Sequence, residues 1–97
     1  MPKLGLLVIV TAKPGLEGQV AEFLKSALPM AQAEPATNSW YALQINEAQF
    51  GIFDTFDDEA GREAHLNGDI AKALMAKSDE LLSEPPNIQK VDLLAVK

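Results

Sequence analysis

A single histidine and no cysteine among 97 residues leave one side chain, His65, that titrates near neutral pH. It lies in Phe50–Leu66 (FGIFDTFDDEAGREAHL), which reads as a short apolar strand passing through an acidic corner into a helix. At the C-terminal end of that helix, the dipole and nearby carbonyls favour a protonated ring. Read as chemistry, His65 is a general base. It would take a proton from a bound substrate. Read as structure, the same ring caps the helix end or packs at the edge of a pocket.

The aromatic residues are the second group of candidates. Trp40 and Tyr41 are neighbours on one strand and must point to opposite faces, one toward the helices and a pocket, the other toward an interface. Either could stack on an aromatic ligand, and Tyr41 could add a hydrogen bond. Phe53 and Phe56 also face opposite ways on the next strand. Together with Asn38, these four form the candidate substrate-binding set, against the alternative that each is simply core or interface bulk. Thr11 and Arg62 are further polar groups able to hold a substrate oxygen, at spacings that do not demand it. Asp54 interrupts an apolar strand. It reads first as an outward, solvated or lysine-paired carboxylate, and second as a partner that orients His65.

Composition narrows the function class. A net charge of −6 with scattered Lys and Arg argues against nucleic acid and anionic membranes. No cysteine and one histidine argue against disulfides and a structural metal, and no cofactor motif stands out, so neither metal nor cofactor is expected. Lys13-Pro14-Gly15 has no phosphate-loop pattern and is a turn. Leu4–Val10 is too short to span a bilayer and lacks the flanks of a secretory leader, so a soluble cytoplasmic protein is expected. A core this small gains most from a partner subunit.

The elements that must position these residues follow from periodicity. Leu4–Ala12 is a strand that is apolar on both alternating faces. Leu16, Val20, Phe23, Leu24, Ala27, Leu28 and Ala31 form one helical face, with Pro29 predicting a kink or an early end. Thr37–Ile45 and Phe50–Phe56 read as an antiparallel pair, and Asp57 or Asp58 caps the helix Glu59–Leu66. Asp69 is expected to cap a further helix reaching Leu82, with Ile70, Ala73, Leu74 and Leu81 on its buried side. Ile88–Val96 is the last strand, its LLAV end again apolar on both faces. The order βαββαβ predicts one α+β domain over residues 1–97, a ferredoxin-like sandwich of four antiparallel strands with helices on one face. Its second, apolar face needs a cover. A homodimer packed sheet to sheet supplies one.

The turn AKPG, the helix end AEP, the corner FDTFDDEAGREAHL and this order resemble the antibiotic biosynthesis monooxygenase domain of the dimeric α/β-barrel superfamily. The resemblance spans nearly the whole chain. It implies a homodimer with a ligand pocket in each subunit between sheet and helices. The activities it implies include oxygenation of phenols and quinols without metal or flavin. A small aromatic substrate is the expected partner, with a non-catalytic, stress-associated binding protein as the alternative. Phe56 stands where such proteins commonly carry Trp, and Asp69 and Ile70 stand where a second His often follows. The haem-degrading branch needs an axial His and a first-strand Asn; Met75 and Ile9 occupy those places, which disfavours haem breakdown.

Overall fold

The branched run LGLLVIVT forms β1 (Leu4–Thr11) in the middle of a four-stranded antiparallel sheet in the computed structural model, which describes residues 1–97. Around it follow α1 (Glu17–Ser26), α2 (Leu28–Gln32), β2 (Thr37–Gln44), β3 (Gln49–Phe56), α3 (Glu59–Leu66), α4 (Asp69–Leu81) and β4 (Asn87–Asp92). The sheet order is β2-β3-β1-β4, the ferredoxin-like arrangement predicted from the sequence. Pro14 and Gly15 turn the chain after β1, with Gly15 at φ +87° and Leu16 N–H donating to the Lys13 carbonyl at 2.9 Å. Asn46 closes the β2–β3 hairpin, its Oδ1 accepting from the N–H groups of Ala48 and Gln49.

Leu6, Val8 and Val10 of β1 and Phe50, Ile52 and Phe56 of β3 meet Val20, Leu24, Leu74 and Leu81 of the helices in one buried core. This face of the sheet is dry. The other carries Leu7, Ile9, Tyr41, Leu43, Phe53 and Val91 in register, and no helix covers it; Tyr41 is 54% exposed. On that side Gly5 lets its neighbours close over β1. A Cβ there would lie 2.9 Å from Val91 Cγ2 and 3.0 Å from Phe53 Cε1.

The early end expected at Pro29 is observed: α1 stops at Ser26, and Pro29 lies in the first turn of the separate short helix α2, where its missing N–H costs nothing. Of the two expected caps, Asp58 serves α3, accepting from Gly61 N–H at 2.9 Å. Other expectations need correction. Asp69 is not a cap; Gly68 occupies that position without a side-chain bond, and Asp69 adds its charge to the first turn of α4. Ala73 is only half-buried, while Ser78 joins the buried face. The last strand stops at Asp92, opposite Leu4 at the start of β1, with one further bond from Leu93 N–H to the Lys3 carbonyl at 3.0 Å. Leu94 is consequently 97% exposed and is no part of a sheet face.

A Gly5→Ala substitution should lower stability by about 1–3 kcal/mol, because Phe53 and Val91 must move apart. Urea unfolding checks this; a change below about 0.3 kcal/mol would mean that the gap above Gly5 is not tight.

Candidate active site

Asp54 lies near the end of β3, with its side chain on the same face as Ile52 and Phe56. The chain then reverses at the Asp57–Asp58 corner. About 9 Å of helix from Glu59 to His65 retraces about 10 Å of chain from Asp54 to Asp57. His65 therefore ends above Asp54, with Nε2 2.8 Å from Oδ2. The second carboxylate comes from the corner between α2 and β2. Glu34 Oε1 lies 2.7 Å from His65 Nδ1 and also accepts from Thr37 Oγ1 at 2.8 Å. One imidazole is thus clamped between two carboxylates from different elements.

The two contacts differ in quality. The Nδ1–Glu34 bond is well aligned. The Nε2–Asp54 approach is close but off-line, and neither Asp54 oxygen has an aligned donor although the residue is 0% exposed. Burial accordingly pushes the Asp54 carboxyl above its ordinary value of 3.8, against the opposing pull of His65. Burial would by itself lower the His65 value. The close carboxylates of Asp54 and then Glu34 outweigh it, and the net shift is upward from 6.5. His65 is itself only 6% exposed.

The remaining predicted site residues divide between the two faces. Phe56 is fully buried and its ring centroid lies 5.5 Å from that of His65, tilted by 45°. Trp40 sits directly across from Asp54 on the helix side, half-buried, with Nε1 enclosed and without an acceptor. Tyr41 and Phe53 are paired on the open face, away from His65. Asn38 is the extra residue of a bulge between Thr37 and Ser39 and is exposed. Thr11 is bound to Glu84, and the buried Arg62 holds the carbonyls of Gly5 and Val91. The sequence reading ranked Asp54 as solvated, yet its period-two alignment with Ile52 and Phe56 already put it on the dry side. Glu34 was missed, for it is brought in only by the tertiary path of the chain.

His65 borders two cavities. One is an apolar hollow of about 100 Å³ between sheet and α4, walled by Leu6, Val8, Ile52, Ile70, Leu74 and Met75. The other is a solvent-open cleft of about 520 Å³ between the α2–β2 corner and α3, with Glu34 and His65 in its wall. No group of three His, Cys, Asp or Glu side chains converges in a geometry that would hold a metal ion. No helix is long and apolar enough to cross a membrane.

The sheet order and the helices on one face are those of the antibiotic biosynthesis monooxygenase fold. One antibiotic biosynthesis monooxygenase superposes with a TM-score of 0.79 at 14% identity, covering 95% of this chain and 99% of that one. A Pseudomonas aeruginosa protein gives 0.83 at 22% identity, covering 98% and 97%. At these identities the likeness is one of fold. The chain belongs to the family of a protein of unknown function from Nitrosomonas europaea, with which it shares 60% identity and a TM-score of 0.98 over 100% of this chain and 94% of that one. No protein-family model and no curated protein matches the sequence.

The clamp predicts a pH signature. Since the folded protein holds the His65 proton more tightly than the unfolded chain, that contribution to stability is complete below about pH 6.5 and drains away as pH rises through the raised folded value. Asp54, also raised, acts in the same direction from 3.8 upward. NMR titration of His65 should give a midpoint above 6.5 in the wild type and a lower one in Asp54→Asn. An unchanged midpoint in that variant would remove Asp54 as the cause.

Proposed function

We propose that the protein is a cofactor-independent monooxygenase that oxidises a phenolic or quinol-type aromatic with dioxygen, with His65 as its base. The observation that carries the reading is the buried imidazole held between Glu34 and Asp54 at the border of two cavities. Removing the phenolic proton raises the electron density of the ring, which then donates to dioxygen. One oxygen atom enters the ring and the other leaves as water, so the substrate supplies every electron. The name of a structure sharing the fold supports oxygenase chemistry as the class. Trp40 and Phe56 are the aromatic candidates on the side of the base; Tyr41, Phe53 and Asn38 lie elsewhere.

One observation favours a second reading, a non-catalytic small-molecule-binding dimer. Both ring nitrogens of His65 already face carboxylates, and a base must reach the proton it takes. Oxygen uptake with a panel of hydroquinones and anthrones separates the two. Catalysis predicts turnover that rises with pH through a midpoint above 6.5, as the neutral ring forms, and falls about 10²–10⁴-fold in His65→Ala. No uptake above the buffer rate leaves the binding reading.

Under both readings the protein is a homodimer packed through the open sheet face. Leu7, Ile9, Tyr41, Leu43 and Phe53 form an apolar surface there, and patches of this kind mark protein contacts. Sedimentation should report twice the 10.5 kDa chain mass, reduced to one chain by Leu7→Lys. A wild-type particle of 10.5 kDa would sink the dimer.

A further inference from the structure

The geometry points to the cleft between the α2–β2 corner and α3, and not the hollow under α4, as the place where a neutral hydroxylated aromatic binds, its hydroxyl donating to Glu34. The inference rests on the monooxygenase reading for its reaction and on the two cavities for its location.

Size separates the candidates first. An apolar cavity that holds benzene measures roughly 150 Å³, and the hollow offers about 100 Å³. The cleft offers about 520 Å³, inside the usual ligand-pocket range of roughly 300–1,000 Å³. A ring system of two or three fused rings fits the second and not the first.

The cleft's chemistry then selects the ligand. Pro29, Met30, Ala33, Pro35, Ala36 and Ala64 give it apolar walls whose small or rigid side chains leave room for a flat ring. Its polar side chains are Glu34, Thr37, His65 and Asp69, with no Lys or Arg, so it repels carboxylates and phosphates and suits a hydrogen-bond donor. Glu34 is the acceptor best placed to receive one. Its Oε1 is occupied by His65 and Thr37, whereas Oε2 makes no hydrogen bond, and its side chain is 21% exposed. The absence of a side chain at Gly68 keeps Oε2 clear, since a Cβ there would stand 3.2 Å from it.

This arrangement explains how an imidazole with both nitrogens engaged can serve as a base. The phenolic O–H bond breaks, its electron pair stays on the phenolate oxygen, and the proton goes to Glu34 Oε2; a carboxyl flip that exchanges the two oxygens then hands it to Nδ1 of the neutral ring. The result is an imidazolium between two carboxylates. No electron leaves the substrate in this step. Glu34 is thereby assigned as the catalytic residue that touches the substrate, with His65 acting through it.

Binding of 2-naphthol with dioxygen excluded, so that no turnover occurs, tests the location by calorimetry, with naphthalene as the comparison lacking a hydroxyl. Ala64 and Ala33 are exposed residues on opposite walls of the cleft, and Ala71 lines the hollow. Ala64→Phe and Ala33→Phe should each weaken 2-naphthol at least tenfold, and Ala71→Leu should leave it within twofold. Glu34→Gln, which keeps an acceptor toward Nδ1, should narrow the preference for 2-naphthol over naphthalene and shift the midpoint of the His65 NMR titration. Loss of binding in Ala71→Leu alone, unchanged binding in both cleft variants, no binding to the wild type, or an unchanged preference in Glu34→Gln would each overturn the assignment. Binding in the cleft without oxygen uptake would instead leave the site standing and remove the monooxygenase reading.

Discussion

A carboxylate with no exposed surface sits in the core of this small domain, and the imidazole above it is what makes that tolerable. Isolated, a buried Asp54 would carry a desolvation cost far beyond what a 97-residue fold can absorb. His65 offsets it by proximity, and Glu34 fixes the ring from the other side. The three groups tie β3, the end of α3 and the α2–β2 corner together at one point. Breaking such a cluster on one side leaves an uncompensated charge in a dry place, so the arrangement is costly to lose whether or not it is catalytic.

The asymmetry of the clamp gives it direction. Asp54 is sealed from water and its contact with Nε2 is off-line, whereas Glu34 is aligned on Nδ1 and reaches a solvent-open cleft. A proton entering or leaving the cluster therefore has one short route. The upward shifts of His65 and Asp54 have opposite origins in this geometry: burial raises Asp54 against the pull of His65, whereas burial would lower His65 and the neighbouring carboxylates raise it. Sequence relatives add family membership but no chemistry, since the 60% identical Nitrosomonas europaea protein is itself of unknown function. Function has to be argued from the site.

The two sheet faces have separate jobs. Leu6, Val8, Ile52 and Phe56 bury themselves against helices, while Leu7, Ile9, Phe53 and Tyr41 on alternate positions lie on the face that no helix covers. Gly5 allows Phe53 and Val91 to close over β1, so this second face is packed along itself. Arg62 works from the helix side, binding the carbonyls of Gly5 and Val91 and anchoring α3 where it must stand to hold His65 over Asp54.

Local chemistry determined most of the elements. Branched runs specified β1 and β3, Pro14-Gly15 the first turn, Asp58 the start of α3, and the alternation through Phe50, Ile52, Asp54 and Phe56 the dry side of the third strand. What local chemistry could not decide was anything depending on register or on distant partners. The β2–β3 hairpin sets the register that puts Trp40 opposite Asp54, and the bulge at Asn38 then brings Thr37, not Asn38, opposite Phe56. The β4 strand ends at Asp92, opposite Leu4, a limit invisible in an apolar LLAV tail. Above all, Glu34 meets His65 across 31 positions of chain, a contact that no spacing rule encodes and that exists only once the α2–β2 corner has folded against α3.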